Sequence, residues 1–249
     1  MPDWTTEFFS QPALDAWRRA QSPDITAAEV AFLEQVLGLG ATPKRLLDVP
    51  SGDARHAIEL AKLGHHVTAI DSAVDNEARA RQGAADAAVS LDFVLGDMRA
   101  LPTRPPFEGA YCWGNSFGYF PRTQTQDFAH AVARSLAPGA RFVIDTATSA
   151  ESLLVELERR SWVRVDDELL LLLECEYDAR ESRLDTTYTS VLCDQVVDRR
   201  TAHHYVFTSG EIVGMLAAAG FETVDLLEDL AGTPFDLGSE RLLIVAERT

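Results

Sequence analysis

Apolar positions follow two spacings along the chain. From Arg45 onward, short continuous apolar runs alternate with stretches where apolar residues recur every three or four positions. The runs Arg45-Leu-Leu-Asp-Val-Pro50, His66-Val-Thr-Ala-Ile-Asp71, 91–95, 109–113 and Arg141-Phe-Val-Ile-Asp145 have strand length and end at Gly, Pro or charged residues. Such runs predict strands buried on both faces. Between them, Ala57, Ile58, Ala61 and Leu63 keep helical spacing until Gly64. The alanine-rich stretch 75–85 predicts a second helix. A third, 124–136, puts Phe128, Val132 and Leu136 on one face, with Pro138-Gly139 as its stop. Strands separated by helices require right-handed crossovers, which build a parallel sheet covered on both sides. The expected class is α/β, a doubly wound Rossmann-like sheet.

Two helices are predicted before the first strand. One contains Leu14 and Trp17; the other opens on a capping box, Thr26-Ala-Ala-Glu29, and continues through Val30, Leu33 and Leu37. After Ser149 the spacing changes. A helix over 152–159 leads to long segments at 162–166, 168–177, 183–192 and 195–207, with turn residues in Asp178-Ala-Arg-Glu-Ser182 and Cys193-Asp194. This predicts an antiparallel β meander. Its apolar run Leu169–Leu173 suggests a doubly buried strand or an oligomer contact. Thr208-Ser-Gly-Glu211 is another capping box, opening a helix that Gly220 ends; strands follow at 221–227 and 242–246. The expected organisation is a helical segment over 1–43, a candidate lid; a core over 44–150 and 208–249; and an insertion over 151–207 on the substrate or oligomer side.

Composition narrows the partners. The 249 residues are 46% hydrophobic and 24% charged, enough for a sizeable core. A net charge of −17 repels phosphate backbones and anionic lipid heads. Basic clusters stop at Arg159-Arg160 and Arg199-Arg200. The expected partner is therefore a small molecule rather than nucleic acid or membrane. No basic stretch followed by an apolar one marks the N-terminus, and no run spans a bilayer. Cys112, Cys175 and Cys193 form no C-x-x-C pair. Together these predict a cytoplasmic protein with free thiols.

In a doubly wound sheet, ligands bind beyond the carboxyl ends of the strands. The loop after the first strand has one glycine, Gly52, and lacks the G-x-G-x-x-G that brings a pyrophosphate to a helix N-terminus. A ligand without phosphate still approaches closely at a residue that has no side chain. Asp71, ending the second strand, is placed to accept from a ribose diol, Asp97 from an exocyclic amine, and Met98 to pack on a base.

The series Leu47-Asp-Val-Pro-Ser-Gly-Asp-Ala-Arg-His-Ala57, Val67-Thr-Ala-Ile-Asp71, Gly96-Asp-Met-Arg99 and Leu136-Ala-Pro-Gly139 resembles the class I S-adenosylmethionine-dependent methyltransferases. Asn115-Ser-Phe-Gly-Tyr-Phe120 and the inserted meander resemble the bacterial small-molecule branch of that family. The resemblance implies a seven-stranded sheet whose last strand is antiparallel, S-adenosyl-L-methionine as cofactor, and methyl transfer to a nitrogen or oxygen of a small acceptor. It places Asp48, Pro50, Ser51, Gly52 and Arg55 around the methionine part and Asp71 with Ser72 at the ribose. Asp97 and Met98 fall at the adenine, and Trp113, Gly114 and Asn115 on the cofactor's other side. The family loop carries further glycines where this chain has Pro50 and Asp53, so the loop here is stiffer.

A hydroxyl acceptor needs a base, for which His204, His203 and Tyr119 are the candidates; Phe117, Tyr119 and Tyr205 are the candidate acceptor wall. His203 and His204 fall on opposite faces of a strand and so make no metal site. The alternatives are a non-enzymatic protein that keeps the fold, a nicotinamide oxidoreductase, disfavoured by the missing glycines, and an RNA or protein methyltransferase, disfavoured by the charge. A homodimer through the meander remains open.

Overall fold

The computed structural model describes residues 8, 9, 18, 19, 21–102, 106–193 and 195–249. The predicted helix around Leu14 and Trp17 lies outside these residues. Helix α1 (Pro23–Val36) precedes β1 (Arg45–Asp48), α2 (Arg55–Lys62), β2 (His66–Asp71), α3 (Val74–Asp86), β3 (Asp92–Leu95), β4 (Phe107–Cys112), α4 (Arg122–Ser135) and β5 (Leu136–Thr146). A short helix α5 (Ala150–Leu153) leads to β6 (Arg160–Arg164), β7 (Leu169–Asp178), β8 (Arg183–Leu192) and β9 (Gln195–Tyr205). Then come α6 (Ser209–Ala219), β10 (Phe221–Leu227) and β11 (Leu242–Arg248).

The main sheet has seven strands in the order β10-β11-β5-β4-β1-β2-β3. β11 runs antiparallel to both β5 and β10, and the other pairs are parallel. Chain order therefore reverses between β1 and β4. There the crossovers leave in opposite directions and a crevice opens at the carboxyl ends. Leu46, Leu47, Ala110, Phe142 and Ile144 are fully buried, as both-sided coverage demands.

β6 to β9 form a separate four-stranded antiparallel sheet. It docks onto the loop after β4: Tyr205 N donates to the Gly118 carbonyl at 2.7 Å. A Cβ at Gly118 would sit 2.8 Å from the Tyr205 carbonyl oxygen, so this approach requires glycine. No helix among the described residues is long and apolar enough to cross a membrane.

Four local expectations are corrected. The N-cap of α1 is Ser22, whose Oγ accepts from Ile25 N; Thr26 and Glu29 are buried within the helix instead of forming a box. Pro138-Gly139 lies inside β5, because α4 already ends at Ser135. The helix after Ser149 spans only Ala150–Leu153. The run Leu169–Leu173 buries one side: Leu169 and Leu171 are 4% and 6% exposed, but Leu172 is 37% exposed. β7 lies inside the four-stranded sheet, and an antiparallel sheet commonly packs one face on a core and leaves the other to solvent.

The second capping box is present. Thr208 accepts from Glu211 N, and Glu211 reaches back to Thr208 N at 3.0 Å. Thr208→Ala is expected to lower stability by about 1 kcal/mol, read as a reduced urea midpoint at constant slope.

Candidate functional site

The carboxyl ends of β1 to β4 open on a cavity of about 1140 Å³. Its floor is the loop after β1, which starts with a cis peptide bond between Val49 and Pro50. Gly52 (φ 57°) and Ala54 (φ 63°) turn the chain back toward α2. A Cβ at Gly52 would meet no protein atom within 4 Å, so the glycine faces open space. Gly52 N donates to Asp71 Oδ2 at 2.8 Å, while Asp71 Oδ1 accepts from Ala73 N at 2.9 Å and Asn76 Nδ2 at 3.1 Å. Burial raises the Asp71 carboxyl above its usual range, and these three donors oppose the rise.

Asp48 is 1% exposed and lines the cavity; its Oδ2 makes no hydrogen bond of ordinary geometry among the described residues, although the buried Tyr111 hydroxyl lies near enough to favour the charged carboxylate. Burial pushes its carboxyl well above the ordinary range. Arg55, on the same wall, donates through Nη1 to Thr26 Oγ1 at 2.8 Å and to Glu29 Oε2 at 2.5 Å. His56 Nε2 lies 2.9 Å from the same Glu29 oxygen. Burial raises Glu29, but His56 and Arg55 outweigh it and carry the carboxyl down to about 2.

On the β3 side, Asp97 accepts from the Arg99 guanidinium at both oxygens, 2.9 Å and 2.6 Å, and Arg99 holds its carboxyl below the usual range. Arg99 stacks 4.1 Å from the Phe120 ring centre and donates to Gln124. Met98 is buried against the main core.

After β4, Gly114 (φ 76°) and Asn115 (φ 65°) form a tight reversal. Asn115 Oδ1 accepts from Thr146 Oγ1, Ala147 N and Thr148 Oγ1, which ties the turn to β5. Gly114 N donates to Asp145 Oδ2 at 3.0 Å, and Arg241 donates to Asp145 Oδ1 at 2.7 Å. Trp113 lines the cavity with its Nε1 unpartnered among the described residues.

The end beside the second sheet is aromatic. Ring centres run from Tyr188 to Phe8 (5.7 Å), to Phe9 (5.0 Å), to Tyr119 (5.4 Å) and to His204 (5.1 Å). Burial drives the His204 ring down to about 4 and the Tyr188 hydroxyl up to about 12; it raises the Tyr119 hydroxyl further still. His204 is thus a neutral imidazole at pH 7.

The cavity wall therefore includes Asp48, Pro50, Ser51, Gly52, Arg55, Asp71, Ser72, Asp97, Met98, Trp113, Gly114, Asn115, Tyr119 and His204. Three candidates fall outside it. His203, on the opposite face of β9, pairs with Asp185 at 2.6 Å. Phe117 is 1% exposed and packs against Phe128 in the core. Tyr205 spends its backbone on the Gly118 contact and packs beside the core. Sequence reading missed His56, Asn76, Tyr188 and Ala202 as wall residues. Of these, only Tyr188 and Ala202 carried a signal: an inward position in strand register, Tyr188 opposite Arg200 and Ala202 opposite Thr186. No group of three or more potential metal ligands occurs among the described residues.

Residues 46–139 match the family model described as a methyltransferase domain. No curated protein matches the chain. Among solved structures it is similar to the CcbJ methyltransferase from Streptomyces caelestis (TM-score 0.81, 18% identity, 99% of this chain and 97% of that one). It is similar to an S-adenosylmethionine-dependent methyltransferase from Clostridium acetobutylicum (0.79, 15%, 94% and 95%). It is also similar to CalS10, an amino pentose methyltransferase from Micromonospora echinaspora solved with bound S-adenosylmethionine (0.72, 20%, 97% and 98%).

Proposed function

We infer, from the domain match and the shared fold, that the chain belongs to the class I S-adenosylmethionine-dependent methyltransferases and methylates a small molecule. The observation that carries the site assignment is the pairing of Asp71, at the end of β2, with Gly52 in the loop after β1 beside the switch point, next to a buried oxygen of Asp48 without an ordinary hydrogen bond. A buried acceptor without a donor is costly, and an ammonium group supplies the donors. The residues present thus fit the cofactor's amino acid and ribose.

When bound, S-adenosyl-L-methionine supplies a methyl group already activated by a sulfonium sulfur. The chain's own residues bind, align and exclude water. Asp71 accepts from the ribose hydroxyls, and Gly52 with Pro50 and Ser51 lets the ligand lie against the backbone. Asp48 takes the ammonium group, and Arg55 offers its remaining donors to the carboxylate. Asp97 and Met98 flank the adenine; Trp113, Gly114 and Asn115 close the other side. Phe8, Phe9 and Arg18, which line the cavity, act as part of a lid, and the second sheet, through Tyr188, Ala202 and His204, forms the acceptor side.

Calorimetric titration with S-adenosyl-L-methionine and its demethylated product tests this. One site is expected for each. Product at 100 times its Kd is expected to stabilise the fold by about 2.7 kcal/mol. Absence of heat and of any thermal shift with both ligands would overturn the assignment.

A further inference from the structure

We propose that the methyl acceptor is an amine on a molecule without phosphate, received by the aromatic end of an acidic cavity whose cations are already committed to carboxylates. This rests on the methyltransferase assignment and adds the acceptor's chemistry to it.

The first observation is the wall itself. Tyr188, Phe8, Phe9, Tyr119 and His204 follow one another at ring-centre distances of 5.0 to 5.7 Å, and all line the cavity. Their faces attract a desolvated cation and also accept an apolar body. Ala202, two residues before His204 on the same face of β9, also lines the cavity.

The second is the charge inventory. Among the described residues that line the cavity, seven are Asp or Glu and three are Arg or Lys. Each of the three cations sits beside a carboxylate: Arg18 with Asp53 at 3.6 Å, Arg55 with Glu29 at 2.5 Å, Lys62 with Glu59 at 2.7 Å. None of them belongs to the aromatic end. Arg200, two residues before Ala202 on β9, is held by Asp198 at 2.9 Å and by the Phe8 carbonyl. The helix N-terminus at the rim, that of α1, is also unsuited to an anion. Pro23 removes an N–H there, and Asp24 adds negative charge. A phosphate or diphosphate acceptor needs forks or helix ends, and the aromatic end has neither among the described residues: α2, whose first residues Arg55 and His56 line the cavity, opens at the Gly52 loop instead.

The third is proton chemistry. An amine that arrives as an ammonium ion first gives one proton to solvent; its nitrogen lone pair then forms the C–N bond as the S–C bond breaks and that bond's electron pair stays on sulfur. One positive charge moves from sulfur to nitrogen, and a proton leaves later to solvent. A hydroxyl must instead surrender its proton to a base. His204, Tyr119 and Tyr188 are all poorly suited to take it, since burial disfavours the charged form of each.

The test uses the full chain saturated with S-adenosylhomocysteine and two probes, benzyltrimethylammonium and inorganic pyrophosphate, titrated by calorimetry. The ammonium probe is expected to bind and pyrophosphate is not. In the double variant Phe9→Leu/Tyr188→Leu, which keeps apolar bulk, ammonium affinity is expected to fall about tenfold, with S-adenosylhomocysteine affinity within twofold of the parent. Binding of pyrophosphate, no binding of the ammonium ion, or ammonium affinity indifferent to the two substitutions overturns the proposal. If S-adenosylhomocysteine itself does not bind, it is the methyltransferase site assignment that fails.

Discussion

Asp71→Ala is expected to lower the affinity for S-adenosyl-L-methionine by about a hundredfold while the protein stays folded. The carboxylate has two tasks at one point. Its Oδ2 takes Gly52 N at 2.8 Å and its Oδ1 takes Ala73 N and Asn76 Nδ2, so the loops after β1 and β2 are fixed to one another. The cofactor's ribose diol is expected to use the acceptor capacity that remains. Hydrogen bonds to a charged group contribute about 1.5–3 kcal/mol each, and every 1.4 kcal/mol is tenfold in Kd. Losing two such bonds already accounts for a hundredfold, before any loosening of Gly52. Calorimetry reads the affinity, and a thermal melt confirms the fold. A Kd within threefold of the parent would remove Asp71 from the site.

The sheet was legible because parallel strands buried on both faces leave continuous apolar runs, as in Arg45–Asp48 and His66–Asp71. The residues at those strand ends were legible for the same reason: topology puts every carboxyl end on one edge. The Thr208 box was legible because, among the described residues, only Arg122 on the surface also pairs with Glu211. The Thr26 box misled because Arg55 and His56, 26 and 27 residues away, recruit Glu29 into the interior. Phe117 and Tyr119 share one loop, yet the turn at Gly114 and Asn115 sends one ring to the core and the other to the cavity. A tight reversal breaks the two-residue alternation on which such assignments depend. The acceptor wall was the least legible part, since Phe9, Tyr119, Tyr188 and His204 meet only when the second sheet docks at Gly118.

Arg241→Leu is expected to cost about 3 kcal/mol of stability at pH 7 and to weaken cofactor binding, although Arg241 is not among the residues lining the cavity. Asp145 is 8% exposed and holds Arg241 on Oδ1 and Gly114 N on Oδ2. Removing the guanidinium leaves a buried carboxylate without its partner, the costly way to break a buried pair. The same guanidinium lies 5.4 Å from the Trp113 ring, so the turn that carries Trp113 and Gly114 loses its brace from both sides. The pH dependence has a definite sign. Burial raises the Asp145 carboxyl and Arg241 opposes that rise, so the variant's carboxyl moves higher still. A carboxyl raised in the folded state favours folding most at low pH, and that contribution is lost as pH climbs through the folded value. The deficit of Arg241→Leu relative to the parent is therefore expected to narrow on acidification from pH 7 toward pH 5, as Asp145 takes up a proton. Urea midpoints at the two pH values measure it. Adding Asp145→Asn to Arg241→Leu is expected to recover part of the loss at pH 7, because no charge is then left buried. A deficit that stays constant with pH, or a double variant no better than the single one, would mean that the carboxylate's charge is not what Arg241 compensates.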